Sequence, residues 1–194
     1  MQLTSTPITI GAAAHVIHGT LPLVGDRIQE RLNDESAGTL QLLDVEVHSH
    51  LQQRSVAHLA SAMVPKSRIE YVLVASGRHE APVKRWNNRT RKSLHSAIAI
   101  LSSCCIEGDV HLPGGLLDTH YAFVRELPGF FAITNARVRI LGAEAIDIPL
   151  VFASRDYVSC LQIGEVFGPI PEGLPESVIV DLPVAASEEI AAGV

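Results

Sequence analysis

Nine histidines and three cysteines are the residues of this 194-residue chain whose chemistry could go beyond packing. His48 and His50 lie two apart in an alternating run, so in an extended strand both rings leave the same face. Two imidazoles on one face make half of a zinc site, which needs further ligands converging at tetrahedral geometry. No carboxylate or cysteine stands at ligand spacing to complete it, and His15 and His18 fall on opposite faces of their strand unless a bulge intervenes. Hydrogen-bonded surface histidines are the simpler reading; a metal at His48 and His50 is the weaker alternative, and no cofactor is expected. Cys104, Cys105 and Cys160 read as small core residues. A nucleophilic cysteine needs a base and an orienting group, and no Cys–His–Asn or Cys–His–Asp order offers them. A Gly-rich phosphate loop, Gly-x-Ser-x-Gly and His-Glu-x-x-His are all absent from the sequence. The expectation is a protein without enzymatic activity.

Binding chemistry has two candidates. Lys84, Arg85, Arg89, Arg91 and Lys92 bring five of the fifteen Lys and Arg residues together around Trp86, the only tryptophan. Such a segment could neutralise phosphates and stack a base. The formal charge of -6 argues the other way, because nucleic-acid binders carry a basic face and a high pI. A solvated linker explains the same residues, so nucleic acid is possible but not favoured. The second candidate is a contrast of sign. Asp44, Glu46 and His48 occupy the outward positions of one alternating run, and Asn135, Arg137 and Arg139 those of a matching run. Faces of opposite sign could meet across two halves of the chain or between chains, setting register and partner choice more than affinity.

These residues sit on elements that the sequence draws clearly. Leu43, Val45 and Val47 alternate with polar neighbours, as do Ala136, Val138 and Ile140, which is the period of a half-buried strand. Further strands are expected at 14–21, at 97–110 with a sharp bend near Gly108, from Ile69 to Leu73, from Ile146 to Leu150 and from Tyr157 to Leu161. Residues 50–64 fit a helix by spacing, but the matching segment later in the chain is a strand, and a strand is preferred. Ile28 and Leu32, four apart after Asp26, mark one short helix; Leu117, Tyr121 and Val124 mark another that ends at Pro128-Gly129.

The matching runs belong to a longer pattern. Ile17-His18-Gly19-Thr20-Leu21 recurs as Ile106-Glu107-Gly108-Asp109-Val110, Leu42–His48 as Ile133–Arg139, and Ser67–Val72, with one residue of slack, as Ser154–Val158. Three matches in one order, about 90 residues apart, imply an internal duplication. The expected fold is all-β with short helices: two tandem small barrels, SH3-like or Sm-like, because closure removes the edge strands of such a sheet. Domains fall at 1–83 and 93–167, joined by the basic linker 84–92 and followed by a Pro/Gly-rich, acidic tail at 168–194. Fusion of an ancestral homodimer would leave the halves related by an approximate two-fold axis.

The pattern Ile-x-Gly-x-Leu-x-Leu-Pro, a short Arg-Leu-x-Asp-x-Leu-Asn-like helix, then Phe-x-x-Leu-x-Asp-Ala-x-Val resembles a family of uncharacterised bacterial small β-rich domains. Ile17–Leu21, Asp26–Asn33 and Leu42–Val47 carry it once, and Ile106–Pro113 with Phe131–Val138 carry it again. The resemblance implies a small β-rich fold in two tandem copies and supplies no activity or catalytic residue. Composition adds a partner. A chain that is 47% hydrophobic, with mean hydropathy +0.24, has apolar surface to spare for an interface. No apolar run reaches the length of about 18 residues that a spanning helix needs. No secretory leader is evident, and three cysteines make no disulfide framework, so a cytoplasmic protein is expected. The function expected is protein–protein association, including self-association, with a homo-oligomer or another protein as partner.

Overall fold

The computed structural model describes residues 4–49, 54–75, 92–113, 119–140 and 143–164. Strands dominate it. The first half holds β1 (Thr4–Ala12), β2 (His15–Leu23), α1 (Ile28–Asn33), β3 (Thr39–Ser49), β4 (Arg54–Pro65) and β5 (Tyr71–Val74). The second holds β6 (Lys92–Leu101), β7 (Cys104–Pro113), α2 (Thr119–Tyr121, continued by a π turn at Ala122–Glu126), β8 (Phe130–Ile140), β9 (Ile146–Ser154) and β10 (Val158–Ile163). A 3-10 turn leads from β4 into β5 at Lys66–Arg68, and another from β9 into β10 at Arg155–Tyr157. The all-β class with short helices is observed. No helix among the described residues is long and apolar enough to cross a membrane.

Several local expectations change. Residues 97–110 are not one bent strand: β6 and β7 form a hairpin turning at Ser102-Ser103, which no Gly or Pro announces. Residues 54–65 form a strand, as preferred. Arg27 rather than Asp26 caps α1, its backbone N–H donating to Glu30 Oε2 at 3.0 Å. Ile28 and Leu32 are buried as the spacing predicts, but Tyr121 and Val124 are exposed while Ala122 and Leu127 go inward. Leu117, His50, the 84–91 segment and the tail lie outside the described residues.

Gly108 has a different task from the one expected. β2 meets β3, and β7 meets β8, through a register shift at Gly19 and Gly108, where the partner strand carries one extra residue. The extra residue turns left-handed, with φ +48° at Asp44 and +49° at Asn135. Asp and Asn tolerate that conformation better than other side-chain-bearing residues. A Cβ at Gly108 would lie 2.7 Å from Ile133 Cγ2 and 2.7 Å from the Thr134 carbonyl oxygen, so only glycine fits. At Gly19 the closest approach, to Leu42 Cβ, is 3.3 Å. Crowding thus requires glycine at Gly108, and the left-handed bulge favours Asp44 and Asn135.

The strands form one open antiparallel sheet in the order β10-β6-β7-β8-β9-β5-β1-β2-β3-β4. The closure expected for each half does not occur by pairing within it; β5 pairs instead with β9, Tyr71 opposite Ala153 and Val74 opposite Leu150. Nor do the halves meet about a two-fold axis. A two-fold would return the β5–β9 contact as a β10–β4 contact, yet β10 and β4 are the two outer edges. The junction is head to tail.

Two cores flank this junction. One gathers Ile8, Ile10, Leu21, Leu42 and Val64 of the first half with Val72 and Val74, and also takes Leu150 and Phe152 from β9. The other gathers Ile106, Val110, Ile133 and Val138 with Val151 and Ala153, and takes Tyr71 and Leu73 from β5. Alternate residues of a strand face opposite sides of the sheet, so the two cores lie on opposite faces where β5 meets β9. That is why Tyr71–Val74 and Leu150–Ala153 are buried on both faces and read as unbroken apolar runs. The Tyr71 ring lies over Gly11, occupying the space a Cβ there would need.

Polar contacts tie the same junction. Ser154 N–H donates to Glu70 O at 2.8 Å, and the Tyr157 hydroxyl to Ser67 O at 2.6 Å. The Asn33 amide at the end of α1 serves Phe130 as a strand neighbour would, donating to its carbonyl at 2.9 Å and accepting from its N–H at 2.8 Å. Glu70, 2% exposed, accepts from Ala13 N–H at 3.2 Å and from Ser103 Oγ at 2.7 Å, joining the β1–β2 and β6–β7 turns.

Substituting Gly108→Ala forces a Cβ against backbone and is expected to cost about 1–3 kcal/mol in urea denaturation, more than Gly19→Ala. Equal costs at the two sites would contradict the crowding described here.

Candidate functional site

Of the expected face of His48 and His50, His50 lies outside the described residues; His48 meets His18 instead. His18 on β2 and His48 on β3 touch edge to face, ring centroids 5.3 Å apart and planes at 79°. His18 Nδ1 shares a hydrogen bond of 2.9 Å with Thr9 Oγ1, and His48 Nε2 lies 3.1 Å from Glu46 Oε1. His15 sits at the start of β2, opposite Ser49. No group of three or more His, Cys, Asp or Glu side chains is placed to hold a metal ion among the described residues. Burial and the neighbouring His48 push the His18 pKa down, partly offset by Glu46.

The oppositely charged runs are kept apart within the chain. β3 carries Asp44, Glu46 and His48; β8 carries Asn135, Arg137 and Arg139; four strands stand between them. Each run is answered locally. Arg139 Nη2 lies 3.6 Å from Glu107 Oε1, and Arg137 stands in register with Glu107 on β7 and Asp147 on β9. Asn135 Nδ2 donates to Asp109 Oδ2 at 2.9 Å, so Asn135, like Asp44, serves the bulge. Lys84, Arg85, Trp86, Arg89 and Arg91 lie outside the described residues, and Lys92 opens β6.

The three thiols are free. Cys104 is buried, and its pKa is pushed up to about 12 by burial first and then by the Glu70 carboxylate. Burial also raises the Tyr71 phenol, whose hydroxyl has no hydrogen-bond partner among the described residues. Cys160 is exposed on β10.

What the sequence reading missed is the pair of outer strands. In each half a short 3-10 turn links the fourth strand to the fifth, which fixes counterparts by position: Val64 with Ala153, Met63 with Phe152, Cys160 with Tyr71, Leu161 with Val72. Tyr71, expected to match Tyr157, matches Cys160 instead, because Tyr157 belongs to the turn. Phe152 is 2% exposed, whereas Met63 is 60% exposed. Tyr71 and Leu73 are buried, while Cys160 and Gln162 are exposed. On both outer strands the residues facing their own core stay covered: Val64 on β4 and Ile163 on β10. Those on the other face have no second core to enter. Val56 and Leu59 are also exposed on β4, Leu59 in register with the buried Val45, and Ile100 lies exposed on β6 opposite Cys160. Unpaired N–H and C=O groups along such strands are a template for another strand.

The chain matches no family model, no curated protein and no solved structure.

The histidine face contributes to stability in a pH-dependent way. Because folding lowers the His18 pKa, the unfolded chain takes up that proton first as pH falls below the ordinary histidine value of 6.5. The folded state is therefore at full strength above that value and loses ground below it, until folded His18 protonates. Urea midpoints at about pH 7.5 and 5.5 should fall further for the native chain than for His18→Gln. An equal fall in both would remove His18 from the effect.

Proposed function

We propose that this protein is a non-enzymatic assembly module, built of two small SH3-like or Sm-like β units related by duplication, that associates with further copies of itself in the cytoplasm. The duplication reading is supported by the common succession of elements, the common neighbour order β5-β1-β2-β3-β4 and β10-β6-β7-β8-β9, and the paired left-handed residues Asp44 and Asn135. One observation carries the association. The contact that buries Phe152 and Tyr71 between the halves is used once, and among the described residues the two strands that could make it again are the sheet's outer strands.

Nucleic acid is the alternative partner, through Lys84–Lys92, and nothing in the placement of the described residues favours it. The exposed apolar residues of β4 instead offer area to a protein strand, with backbone pairing supplying direction and side chains supplying fit. Charged residues at the ends of β4, Arg54 and the 3-10 turn's Arg68, limit indiscriminate pairing, as edge charges do in other sheets.

Light scattering across a concentration series is expected to show a mass above that of the 20.9 kDa chain, rising with concentration. Met63→Lys puts a charge at the most exposed apolar side chain of β4 and should return the chain to monomer without lowering its thermal midpoint. A native chain that stays monomeric at millimolar concentration would overturn the reading.

A further inference from the structure

We propose that β10 of one copy adds to β4 of the next in the register already used by β5 and β9, so that copies join head to tail. This rests on the self-association reading and specifies its contact. In the inner junction Tyr71 faces Ala153, Val72 faces Phe152, Leu73 faces Val151 and Val74 faces Leu150. Replacing each residue by its counterpart sets Cys160 opposite the next copy's Val64, Leu161 opposite Met63, Gln162 opposite Ala62 and Ile163 opposite Ser61.

Three features of the outer strands fit that register. First, the faces agree. Phe152 crosses into the neighbouring half's core beside Val72. Met63 would cross into the second-half core beside Leu161, a partly buried residue of that core. Second, sizes compensate. Tyr71 lies on Gly11, while its counterpart, the small Cys160, stands opposite the bulky, exposed Ile100, so the larger residue changes strands. Third, the turns are complementary in charge. The Tyr157 hydroxyl reaches Ser67 O across the inner junction. Arg68 occupies the position of Tyr157 and Asp156 that of Ser67, so the outer junction brings a guanidinium to a carboxylate; both residues are exposed in the single chain.

The outer contact is weaker than the inner one. Pro65 stands where Ser154 donates its N–H to Glu70 O, so that bond is not made again. Cys160, Gln162 and Ser61 replace Tyr71, Leu73 and Leu150, so less apolar surface is covered. Association is accordingly reversible where the intramolecular junction is permanent. A head-to-tail contact of this kind closes into a ring or runs on as an open chain of copies, but it does not stop at a symmetric pair.

The test uses the full-length chain. Val64→Cys places a thiol directly opposite Cys160 of the neighbouring copy, and opposed strand positions about 4.5–5.5 Å apart suit a disulfide. Copper-phenanthroline oxidation should then give a ladder of covalent multimers beyond two chains on non-reducing electrophoresis. The same substitution with Cys160→Ser, or Ala57→Cys in place of Val64→Cys, should give no ladder. Independently, Arg68→Glu is expected to weaken association by about five- to tenfold, and Asp156→Arg in the same chain to restore it. Multimers by light scattering with neither the ladder nor the charge rescue would overturn this contact while leaving self-association standing. Cross-links confined to dimers would also overturn it. A chain that is monomeric throughout removes both.

Discussion

The pairing of β5 with β9 is the constraint on which the rest of this molecule depends. Four residue pairs join two half-sheets whose cores lie on opposite faces. Each half therefore completes its core with side chains from the other: Leu150 and Phe152 in one direction, Tyr71 and Leu73 in the other. Removing such side chains from water contributes roughly 1.5–3 kcal/mol apiece. Phe130 of β8 is buried in the first-half core as well. The hydrogen bonds of Asn33, Tyr157, Ser154 and Glu70 fix the register of the junction and leave few buried polar groups without partners.

A head-to-tail junction has a geometric corollary that a two-fold junction lacks. Two-fold contacts satisfy themselves when two units meet, whereas a head-to-tail contact leaves one complementary surface at each end. Here those surfaces are β4 and β10, and their composition records a change of task. The paired stretches of the inner strands are covered on both faces, and the outer strands are mostly exposed. A chain that simply ended its sheet would have reason to make both outer faces polar. Met63, Leu59 and Val56 on β4 are not the residues of an edge meant to stay in water.

Much of this was legible in the sequence, and the illegible parts have physical causes. Alternation drew β3 and β8 because each has one wet face, although at the Asp44 bulge Leu42 takes the buried place expected of Leu43. The helix α1 was legible from Ile28 and Leu32, which share a buried stripe. The β6–β7 turn was not, since Ser102-Ser103 interrupts an apolar run without glycine or proline, and Gly108, the obvious breaker, was serving a close approach inside a strand. The unbroken runs Tyr71–Val74 and Leu150–Ala153 did announce strands covered on both sides, a signal that goes unused when alternation is the only template applied. Partner choice was beyond reach. Backbone pairing carries no residue code, and β5 meets a strand about 80 residues further along the chain. The charged faces of β3 and β8 were visible as sequence, but Arg139 finds Glu107 on the adjacent strand, which no spacing rule reveals, and Glu46 finds His48 on its own strand.

The mutual filling of the two cores also governs how the chain can come into being. When the first half leaves the ribosome, the places that Leu150 and Phe152 will occupy are vacant, and Tyr71 and Leu73 have nothing to cover them. Translation supplies about 5–20 residues per second, so this state lasts on the order of ten seconds. Throughout that interval the nascent half presents two bare strands, β4 and β5, where the finished molecule shows only one of them. Neighbouring nascent chains on one message would each carry the same pair of bare strands, so the moment of greatest exposure to a wrong partner falls during birth.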